Sequence, residues 1–196
     1  MAYSRGVKIE DNVSEEIIEA ATDIVFSIGY SHLTVRSILR KLGYTNRVFY
    51  NRFCNIHEVL EKVYENVYLK MRKCIEIKYV PGTDYCEYLI NLAVSLLKKT
   101  YETKMLFINF LFEHDSITNY NRKWWLSRIK ELLDYGVENN VFKEFDTEAV
   151  SYSVWCFCRG FTADAVNLKL DMNEAEELFR NGLNCFLNGI VDKATV

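Results

Sequence analysis

A single proline in 196 residues, Pro81, is the feature that most limits how this chain folds. Proline breaks helices and glycine loosens them, and only eight glycines accompany it. Apolar residues at three- and four-residue spacing fill the long stretches between, which predicts an all-α fold. The length suits one compact unit or two small ones with a real core. Pro81-Gly82 is the sharpest break in the pattern.

The most informative stretch runs from Thr34 to Phe53, TVRSILRKLGYTNRVFYNRF. Thr34 is a good N-cap, since its hydroxyl can accept a free backbone N–H of the first helical turn. Ile38, Leu39 and Leu42 follow at helical spacing, and Gly43 stands where a left-handed turn ends the helix. Thr45 caps the next helix, whose Val48, Phe49 and Phe53 point inward while Asn46, Arg47, Tyr50, Asn51 and Arg52 face out. This is helix-turn-helix spacing, and an ordinary helical hairpin is the alternative. Charge favours the first. No acidic residue lies between Asp23 and Glu58, whereas Arg36, Arg40, Lys41, Arg47 and Arg52 make the interval +5. The whole chain is −3, which leaves −8 for the rest. One basic block on an acidic protein points to a local surface for phosphates.

Residues 15–60, about a quarter of the chain, resemble the N-terminal domain of TetR-type transcriptional regulators. The resemblance is carried by a first amphipathic helix ending in Gly29-Tyr30, then Leu33-Thr34-Val35-Arg36 and Leu42-Gly43-Tyr44-Thr45. Phe49-Tyr50-Asn51-Arg52-Phe53 and Glu58-Val59-Leu60 complete it. It implies a three-helix DNA-binding domain over residues 1–57 and a helical effector-binding and dimerisation domain over 58–196, the last helix of the first domain entering the DNA major groove. It further implies that Thr34, Arg36, Thr45, Tyr50 and Arg52 touch backbone phosphates, and that Asn46, Arg47 and Phe49 read bases. Arg47 can pair with guanine and Asn46 with adenine, each for about 1–3 kcal/mol of discrimination. Three positions depart from the family pattern. Arg47 replaces a commonly small residue, Ile56 a lysine that usually meets phosphate, and Leu39 an alanine that lets helices cross closely.

In chain order, the first helix is expected from Ser14, or one turn earlier with Asn12 and Glu15 as a capping box, and buries Ile17, Ala21, Ile24 and Ile28 beside Ile18 and Val25. Asn55 and Glu58 form a capping box that opens a long helix to about Lys78, striped by Ile56, Val59, Leu60, Val63, Val67, Met71 and Cys74. Asp84 and Glu87 cap a helix with Leu89, Leu92, Ala93 and Leu96. Met105–Phe112 is apolar on every side except Asn109, as a buried helix is. A polar gap from His114 to Arg122 leads to a helix opened by Trp124-Trp125. The last two helices are expected over Asp146–Leu168 and Asn173–Val191, the second with Asn173 and Glu176 as a capping box. The resemblance implies that this pair forms a two-fold dimer interface and that a pocket in the domain takes an inducer. Asn109, Trp125 and Arg159 are the candidate ligand-lining residues, for a flat or acyl-type apolar effector. Arg159 is expected to pair with an acid such as Asp164 or one across the interface, a ligand carboxylate being the lesser alternative.

Other chemistries fit poorly. The six cysteines are scattered without CxxC pairs, and Cys156 and Cys158, at i and i+2 on a helix, point apart. His32, His57 and His114 are far apart, and Glu113-His114-Asp115 needs ligands from elsewhere to hold a metal. No nucleophile triad, glycine-rich phosphate loop or paired carboxylate set stands out, so neither an enzyme nor a cofactor is expected. Met1–Asn12 lacks an apolar run, and no segment is apolar for long enough to span a membrane, so a cytoplasmic protein is expected. The resemblance therefore implies a homodimeric regulator, a repressor released from a palindromic operator by a small apolar or aromatic ligand. Rivals are a redox- or metal-responsive regulator using the cysteines, and a helical DNA or protein interaction module without an effector.

Overall fold

The computed structural model describes residues 8–102 and 119–191. The described residues form eight α-helices and a short 3-10 turn, with one isolated β-bridge between Phe142 and Val191. The chain divides into two compact units, one ending at Lys70 and the other beginning at Met71.

The first unit contains α1 (Asn12–Ile28), a 3-10 turn (Tyr30–His32), α2 (Val35–Leu42), α3 (Asn46–Tyr50) and most of α4 (Ile56–Lys73). The three longer helices each start where a short polar side chain takes an orphan N–H. For α1 that residue is Asp11, which accepts from the Ser14 N–H at 3.0 Å while Ser14 Oγ accepts from the Asp11 N–H at 3.3 Å. The helix therefore starts earlier than Ser14, with Asp11 rather than Asn12 as its cap. For α2, Thr34 and Ser37 form the same reciprocal box. For α4, Asn55 accepts from the Glu58 N–H at 3.1 Å, and the Glu58 carboxylate reaches back to the Cys54 N–H at 2.6 Å.

The core of this unit gathers Ile17, Ala20, Ala21, Ile24 and Val25 of α1 with Ile38, Leu39, Phe49, Phe53, Val59 and Val63. Ile28, expected on the buried stripe, is 54% exposed, because the stripe shifts to the Ala20-Ala21-Ile24-Val25 side. The α4 helix stops at Lys73 rather than Lys78. The carbonyls of Met71 and Arg72 are taken by the N–H groups of Cys74 and Ile75 in tight turns, and Tyr88 in the next helix donates to Ile77 O at 2.9 Å.

The second unit contains α5 (Tyr85–Glu102), α6 (Asn119–Glu138), α7 (Thr147–Asn167) and α8 (Met172–Ile190). Asp84 caps α5 through the Glu87 N–H at 3.0 Å, as the sequence predicts. The buried positions of that helix are Tyr85, Ile90, Leu92, Val94, Leu97 and Thr100, whereas the expected Leu89, Ala93 and Leu96 are half-buried. The α6 helix opens at Asn119, ahead of the tryptophan pair, so residues 119–122 belong to the helix and not to a polar gap. Asp171, not Asn173, caps α8, by accepting from the Asn173 N–H at 2.8 Å.

Around α5 the core collects Leu133, Phe142, Phe179, Leu183 and Leu187, with Phe157 and Phe161 packed against it. The Phe157 and Phe179 rings stack 5.6 Å apart at 7°. Gly182 makes room for this stack, since a Cβ there would lie 2.5 Å from the Phe157 ring tip. An Arg180 fork joins α8 to α5, donating to Glu176 at 3.1 Å, Glu87 at 3.1 Å and Asn91 at 2.7 Å. No helix among the described residues is long and apolar enough to cross a membrane.

Candidate nucleic-acid interface

The helix-turn-helix is built by the local chemistry of the Thr34–Phe53 stretch. The Thr34 hydroxyl accepts from the Ser37 N–H at 3.0 Å, and Ser37 Oγ accepts from the Thr34 N–H at 2.9 Å, which fixes the start of α2. Gly43 ends it in the left-handed region, at φ 72° and ψ 20°, and the Gly43 and Tyr44 N–H groups both return to Leu39 O. Thr45 then sets the entry of α3 through its backbone alone: the Val48 N–H meets Thr45 O at 3.0 Å, and the Thr45 side chain makes no cap bond.

The candidate contact residues separate into two groups. Thr34, Arg36, Thr45, Asn46, Arg47 and Tyr50 are exposed on the two helices and the turn. Arg36, Arg40 and Arg47 have no carboxylate partner among the described residues. Phe49 and Arg52 depart from expectation. Phe49 is 0% exposed, its ring 5.7 Å from that of Phe53, so it is a core anchor and cannot read a base. The periodicity that points Phe49 inward prevails over the family-based role. Arg52 is half-buried and grips the Asp11 carboxylate at 2.8 Å through Nε and 2.5 Å through Nη2, so it is not a free phosphate ligand.

Charge in the motif is answered from α1 and its cap. Asp11 holds Arg52, Glu16 accepts from the Tyr44 hydroxyl, and Asp23 lies 2.8 Å from Lys41. Hydrogen bonding to the Arg52 guanidinium draws the Asp11 pKa down from 3.8 to about 2, and Glu16 raises that of Tyr44. The sequence did not single out Asp11, Glu16 or Lys8 as partners of the motif. Lys8 Nζ donates to Tyr50 O at 2.8 Å, at the end of α3.

In the second unit, Trp125 is 4% exposed on α6 and stacks on Trp155 of α7, 6.2 Å away at 21°. Its Nε1 has no acceptor among the described residues. Arg159 lies half-buried one turn beyond Trp155 on α7. Asn109, the third candidate ligand residue, the Met105–Phe112 stretch and Glu113-His114-Asp115 lie outside the described residues. An open cleft of about 320 Å³ is lined by Arg72, Ile75, Trp124, Arg128 and Glu131 among others. The Arg72 guanidinium lies 4.4 Å over the Trp124 ring and donates to Asn121 at 2.9 Å. Among the described residues no cluster of three or more His, Cys, Asp or Glu side chains is arranged to hold a metal. All six cysteines are free thiols, and burial pushes Cys158 up to about 12.

A three-helix head carrying a helix-turn-helix, followed by an all-helical second unit, is the fold of TetR-family transcriptional regulators. Solved structures with this fold include a TetR-family regulator from Pectobacterium atrosepticum, with a TM-score of 0.76 at 14% identity over 93% of this chain and 95% of that one. A TetR transcription regulator from Haloarcula marismortui has a TM-score of 0.71 at 21% identity, covering 92% and 99%. The fatty acid degradation regulator FadR from Bacillus halodurans has a TM-score of 0.68 at 21%, covering 90% and 96%. At these identities the likeness establishes the fold. No protein-family model and no curated protein sequence matches the chain.

Proposed function

We propose that the protein is a sequence-specific DNA-binding transcriptional regulator of the cytoplasm, a homodimeric repressor released from a palindromic operator by a small ligand. The observation that carries this function is the exposure of Arg36, Arg40 and Arg47 on α2 and α3 with no carboxylate partner among the described residues. In a chain of net charge −3, such a concentrated set suits phosphates and base edges. The fold shared with the TetR-family regulators supports the same role. No catalytic step is required of it.

Dimerisation is assigned to α7 and α8. These helices leave Tyr152, Leu178 and Phe186 exposed at 48%, 48% and 37%, apolar surface that a two-fold partner would cover. Two heads on one axis would read half-sites about one helical turn apart. The effector is assigned to the second unit near Trp125 and Arg159, with Asn109, outside the described residues, as the third candidate. A flat ring would suit the stacked Trp125–Trp155 pair. An acyl chain is the other choice, and one neighbour of the same fold is named as a fatty acid degradation regulator.

Selection of binding sites from random duplex DNA, followed by titration at two salt concentrations, tests the function. Enrichment of a palindrome bound by two protomers is expected. Weak, salt-sensitive binding with no enriched sequence would refute it. Exposed Cys54, Cys156 and Cys185 favour a second function, redox control. A cysteine-free variant that still releases DNA on mild oxidation would eliminate it.

A further inference from the structure

We infer that the segment Lys8–Asp11 is a strap that positions the recognition helix α3, and that Asp11 makes Arg52 a strut rather than a phosphate ligand. It rests on the DNA-binding function proposed above and adds to it a set of positioning residues that meet no DNA themselves.

The need for a strap follows from the length of α3. Five residues cannot supply acceptors and donors for both ends of a helix, and so short a helix has no stability of its own. Its C-terminal carbonyls are met from outside the hydrogen-bond ladder. Arg52 Nη1 donates to Val48 O at 3.0 Å, Lys8 Nζ to Tyr50 O at 2.8 Å, and the Ile9 N–H to Asn51 O at 3.2 Å. Two of these three donors are cations, the charge that a helix C-terminus favours.

The strap is fastened in turn. Asp11 takes Arg52 through both carboxylate oxygens while Oδ1 also accepts the Ser14 N–H at the start of α1. Ser14, itself buried, donates its hydroxyl to Ile9 O at 3.0 Å. Only 11% of the Arg52 side chain is exposed, whereas Arg47, five residues earlier, is exposed to solvent. A bidentate arginine fixes orientation as well as distance, so the pair holds the end of α3 in one place relative to α1.

Asp11 allows a test by sign. A carboxylate near a DNA-binding surface repels phosphate, so its neutralisation strengthens binding to every sequence if it acts only by charge. A positioning role demands the opposite for the operator. Asp11→Asn is a clean variant because asparagine caps helices as well as aspartate does. Arg52→Lys keeps the charge and removes the fork.

The experiment measures affinity for the selected operator and for random-sequence DNA with both single variants and the double variant, together with amide hydrogen exchange of residues 48–53 in the free protein. Each single variant is expected to lose about tenfold in operator affinity, and the double variant no more than either, as coupled neighbours do. Affinity for random DNA should hold or rise, and the amides of residues 48–53 should exchange faster while those of α1 do not. Tighter binding of Asp11→Asn to operator and random DNA alike would overturn the strap and make Asp11 a simple repulsive charge. Unchanged exchange with intact operator binding would overturn the positioning role alone. A wild-type chain that selects no sequence would overturn the DNA function and this proposal together.

Discussion

Lys41 on α2 lies 2.8 Å from Asp23 on α1, while Arg40, the residue before it, is exposed with no carboxylate partner among the described residues. Exposed pairs of this kind contribute about 0–1 kcal/mol to stability, so the bridge adds little to the fold. In the DNA-binding function proposed above its effect is larger, because Lys41 would meet phosphate with its charge already answered. Arg40→Ala should flatten the dependence of log affinity on log salt by about 0.9 per protomer, and Lys41→Ala by distinctly less. Operator titrations over a salt series check this, and equal slopes for the two variants would mean that DNA pulls Lys41 away from Asp23.

Phe49 is wholly buried in the first unit, where its ring lies 5.3 Å from Tyr50 and 5.7 Å from Phe53. Phe49→Ala should cost about 3–5 kcal/mol of stability, through lost transfer energy and the cavity it leaves. Phe49→Leu should cost less and should leave the preferred DNA sequence unchanged. Urea unfolding and a repeated site selection are the measurements. A changed base preference in Phe49→Leu would restore the ring to the reading surface.

The parts of the head that were legible in the sequence are those decided within a few residues. Thr34 caps α2 through a residue three positions on, Gly43 turns on its own φ, and Ile38 and Leu39 take the inward side by helical period. What was not legible is long in sequence. Asp11, Glu16 and Asp23 answer Arg52, Tyr44 and Lys41 from 41, 28 and 18 residues away. An acid-free interval describes charge along the chain, whereas the field at the surface also depends on the helix packed beside it. The α4 boundary differs from its sequence expectation for a similar reason, since Tyr88 holds Ile77 O from 11 residues away. In the second unit, aromatic content singles out Trp125, but only packing reveals that Trp155 is its stacking partner.

If the second unit takes an effector, the Trp125 indole offers it a polar handle. Its Nε1 is buried without an acceptor among the described residues, and a buried donor left so costs about 1–3 kcal/mol. A ligand that brings a carbonyl or carboxylate recovers part of that. Among ligands found by thermal-shift screening of fatty acids and aromatic acids, Trp125→Phe should weaken binding by the worth of one hydrogen bond, about 0.5–1.5 kcal/mol. Calorimetry reads the change, with ligand-free DNA affinity as the control. An unaltered ligand affinity would take Trp125 out of the site.

Phe186 is 37% exposed on α8, with its ring 5.2 Å from that of Phe157. If α7 and α8 pair with their copies, Phe186→Asp places a charge in the apolar centre of the interface. Dimer dissociation should then strengthen by about 2 kcal/mol or more, roughly thirtyfold, with helicity retained. Sedimentation over a concentration series decides this. A variant as dimeric as the parent would move the interface elsewhere.

Asp11 gives the head a defined acid limit. The Arg52 guanidinium holds its pKa at about 2, below the ordinary 3.8. A carboxylate depressed on folding contributes stability that is fully present above the unfolded value and is lost as pH falls through the folded one. The clasp should therefore be intact from neutral pH down to about 4 and open between there and about 2, which excludes Asp11 as a switch at physiological pH. Carboxyl-carbon NMR titration should place the Asp11 midpoint near 2 in the parent and nearer 3.8 in Arg52→Ala. An ordinary midpoint in the parent would mean that the two side chains do not hold each other in solution, and α3 would then need another anchor.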